Sequence, residues 1–144
     1  MVYSLAIQSH VAVSFEISDY TADVVATEAL CLLEVVCSHI SATGRLHIRY
    51  YQAGSSKMFG SAPPPQDETT PFHPRSPYVA SKCAAHWYTV NYREAFRIFT
   101  CNGVLFNHVQ DHAGCGPDQD QDAEKDLFVS VKLHHPQLRQ RQQQ

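Results

Sequence analysis

The spacing of apolar side chains in the first third of the chain predicts a strand followed by a long helix. Residues 3–7 form an apolar run that is too short for a helix and favours a buried strand. Ser18 or Asp19 then offers a side chain that can cap a helix N-terminus. Beyond them, apolar residues recur at spacings of three and four positions, at Val25, Ala29, Leu32, Leu33 and Val36. Gly44 suits the end of this helix.

The middle of the chain predicts a second strand and then a long loop. Residues 46–53 include Ile48, Tyr50 and Tyr51, whose side chains favour strands. Residues 54–74 contain Gly60 and three consecutive prolines, and such residues interrupt regular structure. We therefore expect this segment to connect two elements without being one itself.

A second helix and a third strand complete the predicted order of elements. Ser76 as the N-cap and Pro77 in the first helical position are a strong start signal for a helix, which we expect to end near residue 95 or 97. Residues 99–106 then predict a strand, interrupted by Asn102 and Gly103. The alternation of strands and helices is the βαβ pattern of an α/β protein with a parallel, doubly wound sheet.

Composition limits the classes of function that this chain serves. Its 144 residues carry 11 Lys+Arg against 14 Asp+Glu, which gives one modest domain and no basic field for nucleic acid. No uninterrupted apolar run approaches the roughly 20 residues that span a bilayer, and the N-terminus lacks the pattern of a signal peptide. We therefore expect a cytoplasmic protein without a membrane segment.

The cysteines and histidines predict no metal site. The five cysteines include no CxxC pair, and the nine histidines show no spacing typical of zinc ligands. We expect reduced, structural cysteines and no bound metal.

One group of residues carries candidate chemistry. Tyr78 and Lys82 lie four positions apart, and therefore on one face of the second predicted helix. A phenol becomes a useful base when a neighbouring cation lowers its pKa, which is near 10 when free. Ser55, about twenty residues upstream, is a candidate to hydrogen-bond a substrate hydroxyl, and Lys57 follows two positions later. The Tyr–x3–Lys pair alone is a weak signal, so its surroundings decide its meaning.

Residues 2–108 resemble the GDP-mannose 4,6-dehydratase family of extended short-chain dehydrogenases, in its plant-like form. The matching stretches are residues 5–16, 20–24, 50–56, 72–78 and 102–108, in the order and spacing of that family. The resemblance implies a partial NAD(P)-binding Rossmann-type domain over residues 1–108. It also implies an NADP-dependent hydro-lyase that converts GDP-mannose to GDP-4-dehydro-6-deoxymannose on the route to GDP-fucose.

The resemblance assigns roles to individual residues. Tyr78 is the base that accepts the O4 proton, Lys82 lowers its pKa and holds the nicotinamide ribose, and Ser55 hydrogen-bonds the sugar. Further residues are expected to contact the cofactor: Leu5, Ala6, Ser9, Tyr20 and His108. For Tyr78, Ser55 and His108 a structural role stays open, since a packed aromatic residue, a loop hydroxyl and a strand-end histidine fit the same positions.

Three departures from the family pattern lead us to expect a weak or inactive enzyme. The glycine-rich phosphate loop is absent, so the sheet lacks its first strands and the cofactor lacks most of its anchoring. Lys57 replaces the family's glutamate, which would remove the C5 proton and protonate the leaving hydroxyl. No substrate-binding C-terminal domain follows, and residues 109–144 predict a low-complexity, disordered tail apart from a short run at 127–133.

The two predicted helices suggest another class of function. Residues 19–37 and 76–97 resemble the helix pair that joins subunits in this superfamily, so the chain is expected to form homo- or hetero-oligomers. It would then act, if at all, as an inactive interaction partner of full-length dehydratase subunits. A truncated product that folds poorly is a third reading, and the first predicted strand leaves an open sheet edge.

Overall fold

The fold is built on a four-stranded sheet. The computed structural model describes residues 1–5, 10–45, 47–105 and 130–132, the last three by their backbone alone. The strands are β1 (Val2–Ser4), β2 (Arg49–Ser55), β3 (Phe99–Leu105) and β4 (Ser130–Lys132), in the spatial order β1-β2-β3-β4. The first three strands are parallel, which confirms the predicted α/β architecture with a parallel sheet.

Helical segments connect the parallel strands. In chain order they are α1 (Val13–Glu16), α2 (Ser18–Ala22), a π-helical turn (Asp23–Thr27), α3 (Glu28–Thr43), a 3-10 helix (Ser56–Phe59) and α4 (Pro77–Phe96). The 3-10 helix lies inside the segment predicted as loop, so that prediction was wrong for residues 56–59. A single 3-10 turn is too short to show an apolar periodicity, so the spacing of apolar residues could not predict it.

Strand β4 pairs with β3 in the antiparallel direction, which the parallel prediction did not include. It falls within the 127–133 run that was excepted from the predicted tail. An antiparallel strand needs no crossover helix before it, so the pattern of predicted helices cannot indicate its presence. The rest of the predicted tail lies outside the described residues.

The first long helix begins differently from the prediction. Neither Ser18 nor Asp19 caps it: Ile17 holds the N-cap position and makes no capping hydrogen bond through its side chain. The Ile17 carbonyl accepts hydrogen bonds from the Thr21 backbone N–H at 3.0 Å and from the Thr21 hydroxyl at 2.9 Å. Because α1 ends directly before Ile17, helical backbone already precedes this position. The π-helical turn at Asp23–Thr27 further divides the predicted single helix.

The other predicted helix ends are confirmed. Gly44 adopts a left-handed conformation with φ of 66°, and its N–H donates to the Ile40 carbonyl at 2.8 Å. Ser76 caps α4, since its hydroxyl accepts from the Val79 N–H at 3.3 Å, and Pro77 takes the first helical position. Both signals are local in sequence, which is why they could be read before the fold was known.

Two apolar clusters form the core on the side of the sheet that faces the helices. One joins the π-helical turn, the 3-10 helix and α4, through Val25, Met58, Phe59, Tyr78, Val79, Cys83 and Val104. The other joins α3 to the strands, through Leu33, Val36, Cys37, Ile40, Tyr50 and Ile98. Tyr3 and Phe99 on the strands are at least half exposed, at 58% and 50%. The first cluster includes Tyr78 and packs α4 against the 3-10 helix that follows β2 and against Val104 of β3.

The helical stretch Ser18–Thr43 is long and apolar enough to cross a membrane, judged by length and composition only. It has 26 residues, and an 18-residue part of it has a mean hydropathy of 1.6. The expectation above concerned uninterrupted apolar runs, and charged residues such as Glu28 and Glu34 interrupt this stretch, so the absence of a membrane segment stays a prediction. In the structure 33% of the 18-residue part is buried, and Ala29, Leu33 and Val36 are among its residues in the core.

Candidate functional site

Tyr78 and Lys82 lie on the inner face of the first turns of α4. Both are buried, with exposed fractions of 6% and 4%. The Lys82 Nζ donates a hydrogen bond to the Ala53 carbonyl oxygen at 2.9 Å and lies 5.9 Å from the centroid of the Tyr78 ring. The predicted pairing of these two side chains is therefore present, and β2 supplies the partner that fixes the ammonium.

Ser55 is the last residue of β2 and completes this group. Its hydroxyl accepts a hydrogen bond from the Lys57 backbone N–H at 3.3 Å and also interacts with the Tyr78 phenol. The carboxyl ends of strands in parallel sheets are where such folds bind their ligands. The structure thus brings Ser55 together with Tyr78 and Lys82, both of which lie more than twenty residues later in the sequence.

The expected effect of Lys82 on Tyr78 is not found. Burial raises the pKa of the Tyr78 phenol above its usual value, and the hydrogen bond with Ser55 opposes this rise in part. Burial also lowers the pKa of the Lys82 ammonium to about 8. The prediction that Lys82 lowers the phenol pKa was therefore wrong for this structure, because desolvation dominates and the ammonium bonds to the Ala53 carbonyl.

Lys57 lies outside this buried group. It belongs to the 3-10 helix and is exposed, and its side chain lines an open cleft together with Arg75. The cleft has a volume of about 660 Å³. Tyr78, Ser55 and Lys82 are not among the residues that line it. The position that the resemblance assigns to an acid–base carboxylate is thus occupied by a solvent-facing cation.

The residues expected to contact the cofactor are only partly described. Leu5 follows β1 and is 64% exposed, and Tyr20 lies on α2 and is 57% exposed. Ala6, Ser9 and His108 lie outside the described residues. Leu5 extends from the carboxyl end of β1, the same sheet edge at which Ser55 ends β2. Tyr20 is not brought into the buried group around Tyr78.

Sequence reasoning missed a row of buried polar residues beside the site. Gln52 and Asn102 are 1% and 2% exposed and stand opposite each other on β2 and β3. The Tyr50 hydroxyl donates to Gln52 Oε1 at 2.7 Å, and Asn102 Nδ2 donates to the His86 carbonyl at 3.3 Å. Their signal was a polar residue within each predicted strand, which is uncommon in a sheet with a buried face.

Within the described ranges, no group of three or more His, Cys, Asp or Glu side chains converges as a metal site. Buried thiols there resist ionisation instead: burial raises the pKa of Cys83 to about 11. The chemistry available to the buried group is therefore proton exchange and hydrogen bonding at Tyr78, Ser55 and Lys82.

Comparison with known sequences gives consistent matches. Residues 1–119 match a family model described as GDP-mannose 4,6 dehydratase. GDP-mannose 4,6 dehydratase 2 of Arabidopsis thaliana is 74% identical over 113 residues, which are 78% of this chain and 30% of that protein. GDP-mannose 4,6 dehydratase of Homo sapiens is 46% identical over 116 residues, again 78% of this chain and 30% of the relative. The chain therefore spans less than a third of the length of these curated relatives.

Solved structures share the fold. The structure of RMD from Pseudomonas aeruginosa complexed with NADPH matches with a TM-score of 0.67 at 24% identity, covering 78% of this chain and 38% of that one. DesIV, a dTDP-glucose 4,6-dehydratase from Streptomyces venezuelae with NAD and TYD bound, matches with a TM-score of 0.59 at 21% identity, covering 68% and 29%. At these identities the likeness concerns the fold alone.

Proposed function

Because this chain belongs to the GDP-mannose 4,6-dehydratase family, as predicted, and has its Rossmann-type fold, we propose that it is a segment of a sugar-nucleotide hydro-lyase. The proposed reaction is the NADP-dependent conversion of GDP-mannose to GDP-4-dehydro-6-deoxymannose. The observation that carries this proposal is the grouping of the buried Tyr78 and Lys82 with the partly exposed Ser55 at the carboxyl end of β2.

The residues present fit one end of the proposed cofactor and not the other. Tyr78 and Lys82 supply a phenol and an ammonium close together, which suits a sugar hydroxyl and a ribose. The sequence holds six glycines, none spaced as the phosphate loop G-x-x-G-x-x-G. When bound, NADP would accept a hydride from the sugar and return it later in the reaction. We also propose that the cofactor contacts Leu5, Ala6, Ser9, Tyr20 and His108.

In the proposed mechanism Tyr78, Ser55 and Lys82 together handle the transfer of one proton. Tyr78 accepts the proton of the sugar O4 hydroxyl, and Ser55 holds that hydroxyl by a hydrogen bond. The Lys82 ammonium, fixed by its hydrogen bond to the Ala53 carbonyl, lies beside the Tyr78 ring. The raised pKa of Tyr78 means that the phenol is protonated at neutral pH, so ligand binding has to favour the phenolate before it can act as a base.

We infer that this chain does not complete the elimination of water. Lys57 is a cation at the position of the family's glutamate, and an ammonium cannot accept a carbon-bound proton. General acid–base groups contribute typically about 10²- to 10⁴-fold to rate, so the elimination step is the one most affected. Oxidation at C4 needs Tyr78 and its partners to take the O4 proton and NADP to accept the C4 hydride, and it does not involve position 57.

Turnover of GDP-mannose by the purified chain, with NADP supplied, tests this account. We expect no 4-keto-6-deoxy product by mass spectrometry, from the chain itself or from the variant Lys57→Glu, because the phosphate loop is lacking in both. Product formation by either protein would contradict the proposed inactivity. The family assignment rests on the sequence match and would survive that result.

A second candidate function is association with dehydratase subunits, and apolar side chains exposed on two helices favour it. Val35 on α3 and Trp87 on α4 are 65% and 55% exposed. Burial of such side chains is a main driving force of association. We propose homo- or hetero-oligomers through residues 19–37 and 76–97. Copurification with the Arabidopsis relative should fall in the variants Val35→Glu and Trp87→Glu, and a stable monomer that captures no subunit would count against it.

We further propose that residues 1–108 form the Rossmann-type domain, that residues 109–144 form a low-complexity tail from which only β4 joins the sheet, and that the protein is cytoplasmic. Limited proteolysis followed by mass spectrometry tests the boundary: the first cleavages are expected after residue 108, and protection of the whole of residues 109–144 would contradict it. Cell fractionation tests the location, with the chain expected in the fraction that holds the cytoplasm.

A further inference from the structure

The open cleft at the start of α4, which we call the α4 cleft, is cationic. Lys57 and Arg75 line it, together with the hydroxyl residues Ser61 and Ser76. The remaining contacts include Val11 and Val79, and among the described lining residues there is no Asp or Glu. Two positive side chains therefore share one concave surface of about 660 Å³ without a neutralising carboxylate in the lining.

Short-range contacts hold the two walls of the cleft together. The His73 N–H donates to the Met58 carbonyl at 2.8 Å, and the Phe59 and Phe72 rings pack against each other with centroids 5.4 Å apart and planes tilted by 52°. Gly60 has φ of 60°, and a Cβ there would collide with the His73 carbonyl. The segment that carries Lys57 is thus fixed against the segment that carries Arg75.

The groups in the cleft suit an oxyanion. The Arg75 Nη2 donates to the Ser61 hydroxyl at 2.8 Å, which orients the guanidinium. A guanidinium carries five N–H donors, so this bond does not exhaust it. Arginine forms paired hydrogen bonds with phosphate oxygens, and lysine adds a point charge. Ser76 and Val79 also place the N-terminus of α4 at the cleft, where its partial positive charge adds to the field.

We propose that the α4 cleft binds a phosphate group, with Lys57 and Arg75 as the contacting cations and Ser61 as the residue that positions Arg75. The cleft shares position 57 with the proposed family reaction, but Tyr78, Ser55 and Lys82 do not line it, and phosphate binding by a lysine there goes beyond that reaction. It depends on lysine at position 57: a carboxylate there would repel the same ligand. The ligand class is a small molecule that carries a monophosphate or a diphosphate.

Titration of the full chain with inorganic phosphate and, separately, inorganic pyrophosphate tests the proposal. Chemical-shift changes in two-dimensional amide spectra at low ionic strength report the site and the affinity. We expect saturable changes at residues 57–61 and 75–79. Lys57→Gln and Arg75→Gln should each weaken binding about 3- to 10-fold, the range for partly exposed charged contacts, and Lys57→Glu should weaken it more. The stronger of the two probes identifies a monophosphate or a diphosphate ligand.

Arg45→Gln is the matched control, because it removes one exposed positive charge outside the cleft and should change affinity less than about twofold. Lys57→Arg keeps the charge and should retain binding, which separates loss of the site from loss of folding. Absence of saturable shifts, shifts outside the cleft, or equal weakening by Arg45→Gln and Lys57→Gln would each overturn the proposal.

Discussion

The buried ammonium of Lys82 makes a sharp prediction about stability, because folding removes it from water. Its pKa is about 8 in the folded chain, against 10.5 as the ordinary value. At about 1.4 kcal/mol for each pH unit between the two values, burial of the charged form costs roughly 3 kcal/mol at pH 7. Lys82→Met removes this cost. It also removes the hydrogen bond to the Ala53 carbonyl, worth about 1 kcal/mol, although Gln52 Nε2 still donates there at 3.4 Å.

The sign of the pH dependence follows from the lowered pKa. Between pH 8 and 10.5 the unfolded chain holds a proton on Lys82 that the folded chain has released, so Lys82 makes stability rise with pH in this window. Below pH 8 both states are protonated and the cost is nearly constant. We expect Lys82→Met to be more stable than the parent by about 2 kcal/mol at pH 7 and by only about 1 kcal/mol at pH 9.

Urea unfolding at pH 7, 8 and 9, followed by far-ultraviolet circular dichroism, measures this difference. The raised pKa of Cys83, about 11, is common to both proteins and cancels. Lys57→Met is the control, because it makes the same substitution at an exposed position, where folding does not remove the ammonium from water. A Lys82→Met variant that is less stable than the parent, or a difference that stays constant from pH 7 to 9, would refute the desolvation argument.

Two further predictions concern the local structure around the site. Gly60→Ala should destabilise the chain by about 2–4 kcal/mol, because Gly60 has a φ of 60° and the added Cβ collides with the His73 carbonyl. Gly44→Ala should cost only about 1 kcal/mol, because a Cβ at that position meets nothing within 4 Å. Equal losses of stability in urea unfolding would contradict this difference. Ser76→Ala should cost about 1 kcal/mol by removing the cap on the Val79 N–H, and Ser76→Asp should restore it in the same assay.

The parts of the fold that depend on neighbours in sequence could be predicted. Ser76 and Pro77 define the start of α4, and Gly44 ends α3, because each satisfies backbone groups within one turn. The order of strands and helices followed from apolar spacing, and parallel pairing followed from that order. For the site, the four-residue spacing of Tyr78 and Lys82 was enough to place them on one helical face.

The rest depended on contacts between distant segments. The Ala53 carbonyl, which binds Lys82, is a backbone group and carries no sequence signal. The direction of the Tyr78 pKa required the burial of the phenol, which only the assembled core supplies. Ile17 takes the N-cap position because the helix α1 ends directly before it. The antiparallel pairing of β4 likewise depends on β3, which is distant from it in sequence. The separate cleft around Lys57 could not be read from its spacing to Ser55.

A chimera tests most directly whether this chain is a dehydratase segment that Lys57 has altered. The 113 aligned residues of the Arabidopsis relative would be replaced by those of this chain, with Lys57 or with Lys57→Glu, and GDP-mannose turnover compared. We predict that the chimera with glutamate forms 4-keto-6-deoxy product, that Tyr78→Phe abolishes this activity, and that the chimera with lysine is slower by about 10²- to 10⁴-fold. Equal rates for the chimeras with lysine and with glutamate, or full activity of the Tyr78→Phe variant, would contradict the proposal that this chain is a dehydratase segment altered by Lys57.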